Sequence, residues 1–182
     1  MAAGLFLGML ALHEIGRRLG LRRIERDPEG ASAGAGVIDG AVFGLLGLLI
    51  AFTFSGAAAR FDTRRDLVVE EANAIGTAWL RLDLLPALNE MIDITTTRTM
   101  AARMHPPNVI FALLIGLGLV CALFAGIAVA GGKQRPWVHA VGFSAVIAIT
   151  VYVILDLEYP RLGLIRVDAA DQVLLELRES MQ

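Results

Sequence analysis

The sequence predicts an all-α, polytopic helical membrane protein with about four transmembrane helices, the second continuing into an aqueous helical hairpin. Three observations carry this. Hydrophobic residues make up 56% of the chain, charged residues only 19%, and mean hydropathy is +0.65. Residues 40–59 contain no charge, and about 20 apolar residues are what a helix needs to cross ~30 Å of hydrocarbon. No proline or glycine pair then stops the helix, and Arg60-Phe61-Asp62-Thr63-Arg64-Arg65-Asp66 carries it into water.

At 182 residues the chain has room for one domain, 1–182. Its spans fall at about 2–19, 36–59, 109–130 and 137–156, with an aqueous helical region at 60–107 and a tail at 157–182. The first apolar segment, Ala2 to Leu12, is short, and His13, Glu14, Arg17 and Arg18 follow at once. It lacks the basic start and small-residue cleavage site of a secretory signal. It reads as an anchor clipped at its start, or as a tilted span with snorkelling arginines. The third span follows the Pro106-Pro107 breaker. The fourth opens with Trp137 at the interface level and closes near Tyr159-Pro160.

In the central region Val68, Ala72, Ile75, Trp79 and Leu82 recur at spacings of four, three, four and three. Such an apolar stripe wants a partner helix. Pro86 ends or kinks this helix, and a second helical stretch follows from Ala87 to Arg103. The Thr95-Thr96-Thr97 run weakens that stretch, because β-branched side chains lose rotamer freedom in helices. Val173, Leu174, Leu177 and Met181 give the tail one short amphipathic helix.

The second span carries a stripe of small residues: Gly36, Gly40, Gly44, Gly47, Ala51, Ser55 and Ala58. Helices in lipid gain little from hydrophobicity itself, so they associate by close packing, which small residues permit. Two readings share that physics: packing within one subunit's bundle, and a helix at the centre of an oligomer.

The run Leu48 to Pro86, LLIAFTFSGAAARFDTRRDLVVEEANAIGTAWLRLDLLP, resembles the signature of a bacterial bestrophin-like membrane family of unknown function. Its motif residues here are Arg60, Phe61, Arg65, Glu70, Glu71, Asn73, Asp83 and Pro86. The stretch Asp156 to Val167, DLEYPRLGLIRV, resembles that family's motif after its last span, with Asp156, Pro160, Arg161 and Gly163. A fainter similarity reaches the bestrophins, through Ala59-Arg60-Phe61 and Arg65-Asp66-Leu67. The resemblance implies an oligomeric ion channel of the bacterial inner membrane, a pentamer in the bestrophins, with the second span around the pore. Carried onto this chain, the neck residues are Gly44, Leu48 and Phe52. Apolar rings of this kind gate by dewetting, and a glycine widens its level of the pore. The chain departs from the family in two places. Bestrophins carry a bulky residue where Gly44 stands, and here Pro86 runs directly into Ala87-Leu88-Asn89-Glu90, without the family's longer helical stretch.

Other chemistries find little purchase. Sixteen basic residues against eighteen acidic give no basic face for nucleic acid. The single cysteine, Cys121, excludes an intrachain disulfide and reads as a small buried hydrophobe. Glu70, Glu71 and Asn73 lack the histidine spacing of a metal site and read as a solvated face, supported by ion pairs such as Asp62 with Arg65. Asp39 and His139 read as interfacial. No GxSxG, P-loop or dinucleotide motif is present, and Glu90 with Asp93 has no third group spaced to join it. No enzymatic activity and no cofactor are expected. Ser55, Thr53, Ser144 and Thr150 are polar enough only to bond backbone carbonyls or a neighbouring helix.

Orientation draws opposite answers. Seven basic residues flank one side of the spans, Arg17 to Arg26 with Lys133 and Arg135, and nine lie on the other. Charge in short loops places the first side in the cytoplasm, whereas the resemblance places the central region and tail there; the latter is the reading adopted. Three functions follow: an oligomeric channel conducting inorganic ions, a membrane-anchored scaffold or sensor binding a partner through helix 60–85, and a small transporter. The last is weakest, since a transporter wants a broken helix and a polar site at mid-membrane depth.

Overall fold

Helix follows the apolar segments and runs past their charged ends. The computed structural model describes residues 1–26, 35–80, 84–132, 137–159, 164 and 168–180. Among them lie six helices and no strand: α1 (Ala2–Arg26), α2 (Ala35–Leu80), α3 (Leu84–Arg103), α4 (Asn108–Ala128), α5 (Trp137–Glu158) and α6 (Asp168–Ser180). Three of them, α2, α4 and α5, are long and apolar enough to cross a membrane.

The second segment continues as expected: α2 is one helix of 46 residues. The boundary at Pro86 differs. Pro86 lies in the first turn of α3 instead of closing the helix before it. The first N–H groups of a helix have no intrahelical acceptor, so proline is tolerated there. The threonine run does not interrupt α3 either. The hydroxyls of Thr95 and Thr96 donate to the Ile92 carbonyl, and that of Thr97 to Asp93, at 2.8 to 2.9 Å. Each hydroxyl is thus satisfied by the preceding turn without displacing the helix.

The described residues divide into two compact units, Met1–Phe54 with Pro107–Val153, and Ser55–Pro106 with Ile154–Gln182. In the first unit α1 packs along α4. Gly8 lies beside Leu119, Gly16 beside Leu123, Gly20 beside Ile127 and Ala130, and Ile24 beside Gly131, so the two helices run parallel. Glycine makes the close approach possible. A Cβ added at Gly126 would fall on the His13 carbonyl and 2.9 Å from the Arg17 nitrogen. One at Gly20 would lie 2.5 Å from the Ala130 Cβ. This is small-residue packing, the kind that holds helices together in lipid. Leu5, Met9, Leu114, Cys121 and Ala122 are buried in this unit, with Ala140, Ser144, Ile147 and Ala148 of α5. The N-terminal half of α2 joins it through Leu46, which is buried, and through an edge-to-face pair, Phe43 with Phe143, at 5.8 Å.

Hydroxyls on the apolar helices behave largely as their chemistry requires. Thr53 donates to the Leu49 carbonyl at 2.7 Å and Thr150 to that of Val146 at 2.8 Å. Ser144 is the exception, its buried Oγ finding no partner among the described residues. Cys121 is buried, as expected of a small hydrophobe, with its Sγ 3.9 Å from the Val42 carbonyl.

In the second unit the C-terminal part of α2, α3, the end of α5 and α6 supply the contacts. Val68 and Ala72, the first two positions of the apolar stripe, are buried within the chain. A Cβ at Gly76 would meet the Leu177 side chain of α6 at 3.3 Å. The chain's own tail thus lies beside Gly76, next to the stripe position Ile75. The Trp79 side chain and Leu82 lie outside the described residues.

Candidate functional site

Within the first unit, the N-terminal half of α2 has two unlike faces. Residues 39, 42, 43, 46, 49, 50 and 53 are buried or half-buried, at the spacing of one helical side. Gly36, Gly40, Gly44, Gly47, Leu48, Ala51 and Phe52 are all exposed on the other. A Cβ built at Gly36, Gly40, Gly44 or Gly47 meets nothing within 4 Å. Leu48 is 54% exposed and Phe52 69%. Among the described residues, then, these four glycines pack against nothing, and the bulky apolar Leu48 and Phe52 stand open beside them. Of the most apolar stretch of α2 just 6% is buried, against 28% for α4 and 33% for α5.

The second unit holds a different arrangement, an ion cluster around Glu158. The Glu158 side chain, at the last residue of α5, has no solvent exposure. Arg60 donates to it through Nε and Nη2, both at 2.9 Å from Oε2. The Arg64 Nη2 lies 3.5 Å from Oε1. Arg60 and Arg64 are four apart and so share one side of α2. Arg64, whose side chain is 9% exposed, does more than balance charge. Its Nη1 donates to the Glu158 carbonyl at 2.8 Å, its Nη2 to Met104 at 3.0 Å and its Nε to Ala101 at 3.2 Å.

Those carbonyls belong to the ends of α5 and α3, where the last four C=O groups of a helix lack intrahelical partners. A guanidinium is matched to the task because it presents several donors in a rigid plane and brings positive charge to helix C-termini. Nearby, both Asp156 oxygens accept the Leu164 backbone N–H, at 2.9 and 3.1 Å, and the His105 ring stacks on Tyr159 at 4.8 Å. Arg64→Lys is expected to keep the charge and lose two of the three carbonyl bonds, since one ammonium cannot reach all three. The cost should be about 2 kcal/mol, read as a lowered thermal midpoint in detergent.

The motif residues thus separate. Arg60 lies in this ion cluster with Asp156 close by in sequence, and Phe61 is half-buried next to Arg60. Glu71 pairs with Arg98 of α3. Arg65, Glu70, Asn73 and Ser55 are exposed. The expected Asp62–Arg65 pair does not form among the described residues; both side chains are exposed to solvent, which competes for such pairs. Asp83, Pro160, Arg161 and Gly163 lie outside the described residues. Sequence reasoning missed Arg64 and Glu158. The available signals were two arginines at i,i+4 and two acids, Asp156 and Glu158, closing an apolar segment. No group of three or more potential metal ligands comes together among the described residues.

The chain matches no protein family model, no curated protein and no solved structure.

Proposed function

We propose that the chain is one subunit of a homo-oligomeric, bestrophin-like ion channel, with α2 of each copy facing the central axis and Gly44, Leu48 and Phe52 lining the pore. The observation that carries this reading is the open face of α2, where glycines with nothing against them alternate with exposed Leu48 and Phe52. Lipid tails gain little from glycine, whereas a second helix gains close backbone approach from it. An apolar ring at the level of Leu48 and Phe52 would close by dewetting, and Gly44 would leave a wider level beside it.

In this reading α1 is a fourth span lying along α4, and α2 with α3 forms the aqueous hairpin, a pairing supported by the Arg98–Glu71 contact. The protein sits in the bacterial inner membrane with the central region and tail in the cytoplasm, as in the bestrophins it resembles. A scaffold reading through helix 60–85 has less to stand on, because Val68 and Ala72 are already buried by the chain itself.

The test is oligomer mass by native mass spectrometry, run on the natural chain and on Gly40→Leu/Gly44→Leu. A discrete oligomer, a pentamer on the bestrophin pattern, should break down in the double variant. Phe52→Ala should then raise the unitary conductance of the reconstituted oligomer. A monomer or dimer indifferent to the leucines sinks the channel reading. Charges placed at Ile75 should leave the assembly unchanged, whereas the scaffold reading requires them to abolish capture of a partner.

A further inference from the structure

The exposed side of α1 changes chemistry along its length. Leu7, Ala11, Ile15 and Leu19 are exposed on its first part, with Arg18 among them, and Arg22, Arg23, Glu25 and Arg26 on its last. The contacts with α4 give each residue a level. Gly20 lies beside Ile127 and Ala130, and Ile24 beside Gly131, while α4 itself ends at Ala128 and turns through residues 129–131. The three outer arginines therefore stand level with the end of a helix apolar enough to span the bilayer. That is where hydrocarbon gives way to headgroups.

Arginines at two depths are treated differently. Arg17 and Arg18, near the level of Gly126, both pair with Glu14, at 3.1 and 3.0 Å. At that level the Glu14 carboxylate offsets part of the charge of the two arginines, which lowers the cost of bringing them near the bilayer. Among the described residues Arg22, Arg23 and Arg26 have no ion-pair partner, although the Glu25 carboxylate stands exposed in the same turn.

We propose that Arg22, Arg23 and Arg26 form a docking surface for anionic phospholipid headgroups. Phosphate oxygens would meet the guanidinium forks, which suit them geometrically, while acyl chains run along Leu19 and Ile15, each nearly half exposed. Each arginine near an anionic membrane surface adds to the attraction for such lipid, and Glu25 subtracts from it. The inference rests on α1 lying in the bilayer beside α4 and not on the pore, so it can fail while the channel reading stands, and the reverse.

The test uses the full chain in mixed micelles of phosphatidylglycerol and phosphatidylcholine at equal amounts, with bound lipid counted by native mass spectrometry. The natural chain should retain phosphatidylglycerol over phosphatidylcholine by about tenfold. Arg22→Gln/Arg23→Gln/Arg26→Gln should bring the ratio close to parity. Arg65→Gln/Arg103→Gln/Arg178→Gln, with the same charge change elsewhere, should leave it intact. No preference in the natural chain, an unchanged ratio in the first variant, or an equal loss in the second overturns the proposal. Should the first variant fail to fold, thermal midpoints of the natural chain in nanodiscs of either lipid decide. Phosphatidylglycerol must raise the midpoint, and that gain must shrink as salt rises from about 0.05 to about 0.5 M. No gain, no salt dependence, or an equal gain from inorganic phosphate in phosphatidylcholine nanodiscs overturns it.

Discussion

Replacing Glu158 by alanine is expected to cost the second unit about 3–5 kcal/mol, the usual loss when one partner of a buried ion pair is removed. Two guanidiniums converge on this carboxylate. Arg60, with its side chain 34% exposed, can turn to water after the substitution. Arg64 cannot do so easily, because it is nearly buried and its three carbonyl bonds hold it in place. Glu158→Gln keeps the shape and removes the charge, so it should retain part of the hydrogen bonding and still lose most of the electrostatic balance. Asp156→Asn, which weakens the contact with the Leu164 N–H, should cost about 1 kcal/mol. Thermal unfolding in detergent gives the ranking, and amide exchange at the ends of α3 and α5 locates the damage. If Glu158→Gln melts with the natural chain and its amides stay protected, the buried ion cluster does not hold these helix ends.

The second large effect should appear at the α1–α4 crossing. Gly126→Val is expected to separate the two helices, at a cost of about 3 kcal/mol or more. The added atoms meet the backbone of His13 and Arg17, and a backbone inside a helix has no rotamer with which to yield. Gly16→Val should do the same from the other side, against the Leu123 carbonyl and the Ile127 nitrogen. Gly116→Val and Gly142→Val, where an added Cβ meets nothing within 4 Å, should be nearly neutral. Disulfide trapping of Gly8→Cys with Leu119→Cys, in a Cys121→Ala background, reads the crossing directly. Equal trapping in Gly126→Val and in Gly116→Val would mean that close approach does not hold the pair.

Much of the helical plan was legible because hydropathy and helical period are local properties. The uncharged run 40–59, the Pro106-Pro107 break and Trp137 each mark a helix boundary or interior that the structure repeats. The extension of α2 past Arg60 was legible for the same reason, since nothing in that stretch breaks a helix. Boundaries were less so. Pro86 marks the neighbourhood of a helix end, yet proline suits a first turn as well as a breakpoint, and local chemistry does not choose between them.

The glycines show most clearly what sequence leaves open. Gly16 and Gly20 on α1 have the same small-residue spacing as Gly36, Gly40 and Gly44 on α2, and spacing alone does not tell the two sets apart. The structure places another backbone against the first set and nothing against the second. Likewise Arg60, Arg64 and Arg65 are equivalent in composition, but the helical turn sends the first two toward Glu158 and leaves Arg65 exposed. By itself the sequence determined that this chain is helical, apolar enough for a membrane and continuous from apolar stretch into charged helix, because those properties depend on residues a few positions apart. Which glycines are in contact, which arginines are neutralised and which face of α2 stands open were decided only in the folded chain. They depend on pairs such as Arg64 with Glu158, brought together by packing across 94 positions of sequence that no local pattern links.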